Sequence, residues 1–547
     1  MRILIIGGVA GGASAAARAR RLSEDAEIVI FERGEHVSFA NCGLPYHIGG
    51  VIKEREKLIV QTPEALNRRL RIKVYVKTEA IKIDRAQKNL IVKDLINGKE
   101  STEPYDYLVL SPGAEPIKPI MPGLDLPQVM TLRNLSDMDR IKSTVDLNKT
   151  KKVIVVGGGY IGLEMAEALR ERGLEVVIIE LSDQVMGPAD PEMAYYLHQE
   201  LKKQGVEVKF GVSVKGFYQA GQGVVAELSD GQNMDCDLVI LAIGVKPEIS
   251  LAKEAGLEIG QRGGIAVNEQ MSTNDPAIFA VGDAIEVDEF VTRTKVLIPL
   301  AGPANRQGRI AADNIFGRNS VYKKTQGTAI CKLFDLTIGL TGVNEKILKR
   351  MNLVYEKIYI HANNHAGYYP GAAPMSMKLL FDPKSGKILG AQAVGREGVD
   401  KRIDVLAVAL RAGMTVYDLE HLELCYAPPY GSAKDPVNFL GFAASNMLRG
   451  DVMICHSDDT TNTGPEKIIL DVRSPKETQA GMVPGAVNIP IDDLRDRVNQ
   501  LSKDKEYIVY CQGGLRGYLA CRILTQHGFK CRNLSGGYQT YKASRGI

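Results

Sequence analysis

The sequence predicts an α/β protein with two Rossmann-like nucleotide-binding domains and a further α/β domain at its far end, and three observations carry that prediction. A Gly-rich strand-to-helix turn near residue 7 recurs with the same layout near residue 157. An apolar strand ends in Gly282–Asp283, and much later another strand closes on Cys511 and runs into a Gly-rich loop. At 547 residues the chain is too long for a single core, and several domains are expected.

Arg2–Ile6 reads as a short strand, Gly7–Gly12 as a tight turn, Ala13–Leu22 as a helix and Glu27–Phe31 as a second strand. Glu32 closes that strand at the distance from Gly12 where an acid accepts hydrogen bonds from a ribose hydroxyl. The middle position of the G-x-G-x-x-G pattern is Val9, so the motif alone is weak and the acid strengthens it. Lys152–Val156 leads into a second copy with Gly157, Gly159 and Gly162 all present, then a helix, strand Glu175–Ile179 and Glu180. Its glycines let a pyrophosphate approach the backbone and a helix N-terminus. Glu180 has no Arg or Lys beside it, which predicts NADH over NADPH. The strand before Gly282 would let Asp283 present a carboxylate to the ribityl hydroxyls of FAD, a role compatible with capping the following turn.

The stretch Ser38–Phe39–Ala40–Asn41–Cys42–Gly43–Leu44–Pro45 is where the chemistry is expected. Pro45 at a first helical position would put Cys42 just before a helix N-terminus, where the dipole favours thiolate. A buried structural cysteine is the alternative, and the polar Ser38 and Asn41 argue against it. Ser14, Arg18 and Arg21, at i, i+4 and i+7, share one helix face that offers a hydroxyl and two guanidinium groups. From spacing alone a solvated basic stripe is the simpler reading.

A net charge of +3 predicts neither nucleic-acid nor membrane partners. No apolar run reaches spanning length and no signal-peptide layout precedes the first strand, so a cytoplasmic protein is expected. The eight cysteines include no C-x-x-C pair and read as single free thiols. His361, His365 and His421 lack metal-ligand spacing, and no metal is expected. Two Tyr/Pro-rich loops, Asn364–Gly371 and Tyr426–Asp435, stand out, although tyrosines there commonly pack an interface.

Residues 457–465 read as a polar linker, after which strands Ile468–Asp471, Val483–Pro490 and Tyr507–Tyr510 precede Cys511 and a helix Tyr518–His527. The loop after Cys511 would aim backbone N–H groups at its sulfur, favouring a thiolate or an anionic persulfide. Cys521 and Cys531 read as structural, with Cys531 as a resolving thiol the alternative.

On these motifs the first 445 residues or so resemble the pyridine nucleotide-disulfide oxidoreductases, within their single-cysteine branch of coenzyme A-disulfide reductases, NADH oxidases and NADH peroxidases. The resemblance implies an FAD domain from 1–112 plus 243–322, an NADH domain from 113–242, and an α+β dimerisation domain from 323–446. Val9 departs from the general fingerprint. By the same resemblance Cys42 is the redox thiol, Ser14, Arg18, Arg21, Ser38 and Asn41 contact coenzyme A, Tyr368 and Tyr426 reach the cysteine site of the other subunit of a homodimer, and Lys434 meets a coenzyme A phosphate. Beyond a linker at 447–463, residues 464–547 resemble a rhodanese in Asp471–Val472–Arg473, Pro484–Gly485–Ala486 and the Cys-x-x-Gly-x-Arg loop, with Met482 where that family usually has His. The expected function is reduction by NADH, through FAD and Cys42, of coenzyme A disulfide, coenzyme A persulfide or polysulfide, coupled to a sulfane sulfur carried on Cys511. An NADH oxidase or peroxidase using a cysteine sulfenic acid is the alternative within enzymes, and a non-catalytic flavoprotein redox sensor is the alternative outside them.

Overall fold

The computed structural model describes residues 1–147, 149–461 and 464–547. They form two compact units, Met1–Asp183 with Gly205–Gly327, and Gln184–Gln204 with Thr328–Ile547.

The first unit holds two five-stranded parallel sheets. One runs in the order Ile278–Ala280, Tyr107–Leu110, Arg2–Ile6, Glu27–Phe31, Ile72–Tyr75. The other runs Val129–Met130, Leu238–Leu241, Lys152–Val156, Glu175–Glu180, Glu207–Phe210. Ile3, Leu4, Ile5, Val153, Ile154 and Val155 are fully buried. A central parallel strand is covered on both faces, which is why these segments are continuously apolar rather than alternating. Pairing of Ile278–Ala280 with Tyr107–Leu110 brings a strand from far along the chain into the first sheet, so Gly282–Asp283 arrives at the same carboxyl edge as Gly7.

The second unit holds an antiparallel sheet in the order Ala329–Leu333, Leu336–Gly342, Ile388–Gly395, Pro374–Phe381, Glu356–Asn363. It also holds a parallel sheet in the order Ile454–Cys455, Lys530–Leu534, Glu506–Tyr510, Lys467–Asp471, Val487–Asn488. The α/β class with two Rossmann-like domains, an α+β domain and a final α/β domain is therefore observed.

Two features depart from the sequence expectation. The stretch read as a linker contributes a strand, Ile454–Cys455, to the last sheet and a short 3-10 turn, Ser457–Thr460, so its polar composition does not make it a free tether. Asn462 and Thr463 of that stretch lie outside the described residues. Gln184–Gln204, inside the expected NADH boundaries, packs with the second unit instead. The reason is electrostatic. The fully buried ammonium of Lys378 lies 2.7 Å from Asp190, 2.5 Å from Glu192 and 2.6 Å from Glu345. Lys357 and Tyr355 share Glu345, Tyr359 donates to Glu192, and Gln392 donates to Asp190. A buried ion cluster of this kind is stable only with every lone pair and proton engaged. The three carboxylates lie within 4.8 Å of one another, and the Lys378 ammonium is the cation they surround.

The final domain docks on the antiparallel sheet through polar contacts. Ser535 Oγ accepts from the backbone N–H of Tyr359 at 3.1 Å, and Tyr195 donates to the carbonyl of Ile547 at 2.7 Å. The ring of His361 bridges Ser376 Oγ at 2.9 Å and Thr540 Oγ1 at 2.8 Å. Burial pushes His361 down to about 4. A base whose folded value lies below its unfolded value of about 6.5 binds more protons when unfolded, so stability rises with pH across that window and is lost as pH falls from about 6.5 to about 4. We expect the urea midpoint of this unit to fall over that range, by at most ~3 kcal/mol of stability, and His361→Gln to flatten the dependence; an unchanged slope in the variant would assign the acid sensitivity elsewhere.

Candidate active site

Cys42 lies in a 3-10 turn, Asn41–Gly43, followed by the helix Leu44–Ile48 with Pro45 in its first turn. Cys42 and Asn41 are exposed, whereas Ser38 is buried in the two-residue strand Ser38–Phe39, which pairs with Ile59–Gln61. A Cβ at Gly43 would meet the tip of the Leu58 side chain at 2.4 Å, so Leu58 packs directly over the glycine that follows the cysteine.

The expected dipole activation of Cys42 is not what the protein alone provides. Its thiol is pushed up, first by loss of solvent around the sulfur and then by the carboxylates of Glu164 and Asp283. A helix of five residues carries too little aligned dipole to reverse those two effects.

Glu164 is a candidate site residue that sequence reasoning missed. It lies on the helix Tyr160–Glu171 that follows the second glycine turn, and this helix packs against Leu44–Ile48. Burial, then the neighbouring Glu167, raise Glu164 to about 7, against a hydrogen bond from Tyr46. The available signal was its place one residue after Leu163 on the buried face of a motif helix, an unusual position for an acid.

The two glycine turns are built alike. Gly7 and Gly157 have φ of +86° and +104°, and a Cβ there would strike the carbonyls of Ser111 and Ala242 at 2.1 and 2.4 Å. Glu32 accepts from Gly8 N at 3.0 Å and Gly34 N at 2.8 Å, while Glu180 accepts from Gly158 N at 2.6 Å and from Ser182. Each carboxylate is thus fixed beside its turn with lone pairs to spare. Val9 and Gly159 occupy the N-cap positions of the following helices, which begin at Ala10 and Tyr160, and neither helix is capped by a side chain. The open space beyond Gly159 is what a pyrophosphate needs. Asp283 sits half-buried on the turn Gly282–Ala284, forms no hydrogen bond among the described residues, and is pushed up to about 6 by burial. A carboxyl aimed at a space without protein partners fits the hydroxyls of a flavin side chain, and the residues present therefore fit FAD at the first turn and NADH at the second.

The face of Ser14, Arg18 and Arg21 is divided by the structure. Arg18 forks onto Asp313 at 2.7 Å and Ser14 donates to Asn305 at 2.7 Å, both on the helix Ala301–Ile315. Arg21 is exposed and has no ion pair among the described residues. The expectation of two free guanidiniums is corrected to one, because Asp313 neutralises the other.

In the second unit the two Tyr/Pro-rich loops meet. The hydroxyls of Tyr368 and Tyr426 lie 3.2 Å apart, on exposed side chains, and their hydrogen bond raises Tyr368 above its ordinary value. Lys434 is exposed. Cys511 is buried, and its sulfur accepts from Gly514 N at 3.1 Å. The predicted cradle is thus one backbone donor, together with the Arg516 guanidinium that reaches the same thiol. Cys521 and Cys531 lie in the core behind it, where the hydrogen bond with Cys521, and then that with Thr525, hold Cys531 down to about 7 against burial. Among the described residues no helix is long and apolar enough to cross a membrane.

Residues 1–308 match the pyridine nucleotide-disulphide oxidoreductase family, 328–435 its dimerisation domain, and 458–544 the rhodanese-like domain. Among curated relatives, an NADH oxidase of Methanocaldococcus jannaschii is 38% identical over 452 residues, 82% of this chain and 99% of the relative. A coenzyme A disulfide reductase of Staphylococcus haemolyticus is 35% identical over 450 residues, 82% of this chain and all of that one. Among solved structures, reduced Bacillus anthracis CoADR-RHD is 51% identical with a TM-score of 0.96, covering 99% of this chain and 98% of that one. A NAD-dependent persulfide reductase from A. fulgidus is 38% identical with a TM-score of 0.92, covering 99% and 100%. With the paired glycine turns, Asp283 and the family match extending over more than half of the sequence, this chain belongs to the pyridine nucleotide-disulphide oxidoreductase family and carries a rhodanese-like domain after its dimerisation domain.

Proposed function

We propose that this protein is a flavoenzyme in which NADH reduces coenzyme A disulfide, coenzyme A persulfide or polysulfide at Cys42, while Cys511 carries sulfane sulfur. The observation that carries the reading is the exposed thiol of Cys42 beside the half-buried carboxylates Glu164 and Asp283. Gly7, Gly12, Glu32 and Asp283 would hold FAD, and Gly157, Gly159, Gly162 and Glu180 would hold NADH, which when bound would supply the electron pair that cleaves the mixed disulfide on Cys42 into the Cys42 thiolate and coenzyme A thiolate. The Cys42 thiolate attacks one sulfur of the disulfide, the S–S bond breaks, and coenzyme A leaves as a thiolate that takes up a proton. With a persulfide, attack on the inner sulfur releases hydrosulfide and leaves the same mixed disulfide. Glu164, near neutrality in its proton affinity and hydrogen-bonded to Tyr46, holds the proton that the leaving sulfur needs.

Boundaries of 1–112 with 243–322 for FAD, 113–242 without Gln184–Gln204 for NADH, and 323–446 for dimerisation suit this reading. So does a homodimer in which the exposed Tyr368–Tyr426 pair meets the Cys42 site of a second copy, with Ser38, Asn41, Ser14, Arg21 and Lys434 around coenzyme A. The relative named NADH oxidase favours a second reading, in which Cys42 cycles through a sulfenic acid and reduces oxygen or peroxide. Steady-state NADH consumption with coenzyme A disulfide, coenzyme A persulfide, polysulfide, oxygen and peroxide separates the two; the proposal requires the sulfur compounds to be the better substrates.

Cys42→Ser should keep both nucleotides bound, read by flavin absorbance and nucleotide titration, and lose disulfide turnover by about 10³-fold or more. Arg21→Ala should raise KM for coenzyme A substrates by about tenfold, the worth of one charge-assisted contact to phosphate, and leave inorganic polysulfide unaffected. Arg18→Ala should instead lower stability, because it strands Asp313. Glu164→Gln removes the ionised neighbour that raises Cys42, so alkylation of Cys42 by iodoacetamide should become severalfold faster at pH 8 while the neutral limb of the pH–rate profile is lost; an unchanged profile would remove Glu164 from the mechanism.

A further inference from the structure

The Cys511 pocket contains two guanidiniums, and both are already matched by carboxylates. Arg516 donates through both terminal nitrogens to Glu477, at 2.8 and 2.5 Å, and also reaches the Cys511 thiol. Glu477 is fixed in turn by the backbone N–H and hydroxyl of Ser474, each at 3.0 Å, at the start of the helix Pro475–Thr478. The fork with Arg516 holds the Glu477 carboxyl down to about 2, so it stays ionised at neutral pH. Arg473, almost wholly buried, is spent on Asp471 at 2.7 Å and on the carbonyl of Gly481 at 2.7 Å, and lies 4.2 Å over the ring of Tyr538. On the helix that opens after the loop, Leu515 and Leu519 are exposed on either side of Arg516 in sequence. Both guanidiniums are thus compensated, Lys542 lies 5.5 Å over the same Tyr538 ring without an ion pair among the described residues, and the neighbourhood is partly apolar.

We infer that the Glu477–Arg516 fork is a specificity determinant, making Cys511 load from persulfides whose charges lie far from the sulfane sulfur and discriminate against thiosulfate. This deepens, and rests on, the reading of Cys511 as the sulfur carrier. With a persulfide R–S–SH, the Cys511 thiolate attacks the outer sulfur, the S–S bond breaks, RS⁻ leaves, and the Cys511 persulfide forms; one negative charge is present throughout. With thiosulfate the same attack on the outer sulfur expels sulfite, and three negative charges crowd a site whose only guanidinium at the sulfur is already engaged by Glu477. Like charges at such distances are costly in a site screened from water. An unpaired arginine would offset that cost by a bidentate fork to the oxyanion. Glu477 occupies that fork.

The test is sulfur loading of Cys511 in the full-length, flavin-loaded, reduced enzyme without NADH, followed by mass analysis of the Cys511 peptide, with coenzyme A persulfide or thiosulfate as donor. Wild type should gain one sulfur atom about tenfold faster or more from the persulfide than from thiosulfate. Glu477→Gln keeps an acceptor for Ser474 and removes the charge, so thiosulfate loading should rise about tenfold, the worth of one freed charge-assisted contact, with persulfide loading changed far less. Glu477→Asp keeps the charge and should keep the wild-type preference, which separates charge from simple disturbance of the helix. Equal loading from both donors in wild type, or an unchanged donor ratio in Glu477→Gln, would overturn the specificity role while leaving Cys511 as a carrier. No loading from either donor would overturn the carrier reading, and this inference with it.

Discussion

A parallel strand that runs straight into a helix leaves the first N–H groups of that helix without carbonyl partners, and this chain places that situation at Gly7, Gly157 and Cys511. None of the three helices is capped by a side chain. What differs is what is set beside the turn. Glu32 and Glu180 stand beside the first two, where an acid suits a sugar hydroxyl. A sulfur stands at the third, where Gly514 donates to it. One solution to the same backbone constraint thus serves two nucleotides and one thiol, and the sheets are the means of holding it still.

Cys42 belongs to none of these turns. It rides on a short turn beyond the first sheet, and the protein around it raises its thiol rather than lowering it. In the proposed reaction the Cys42 thiol is therefore expected to be activated by what binds next to it, while Glu164 and Asp283, both raised by burial, are kept close to the point where a proton is easily given or taken.

Much of this was legible in the sequence because the signals were local. Continuous apolar runs gave the parallel strands, the glycines with Glu32 and Glu180 gave the turns, and Cys42 was singled out by its neighbours. What escaped was long-range. Arg18 faces Asp313 across 295 positions of sequence, which no helical spacing reveals. Gln184–Gln204 leaves its expected domain because Lys378 draws Asp190 and Glu192 to it. The polar stretch after residue 450 looks like a tether until strand Lys530–Leu534 pairs with Ile454–Cys455. Glu164 carries no signal in its spacing, and what marks it is the burial that raises it.

The docking of the last domain has a consequence for how the chain can be shortened. Strand Glu356–Asn363 presents Tyr359 and His361 to residues 535–540, which cover part of both. A chain ending at Arg449 would uncover part of the Tyr359 ring and the neutral imidazole of His361 on the sheet, and the Tyr195 hydroxyl on the helix Pro191–Lys203. The rhodanese-like part is in that sense the lid of the dimerisation sheet as well as a second workplace, and removing it changes the solvation of the core it leaves behind.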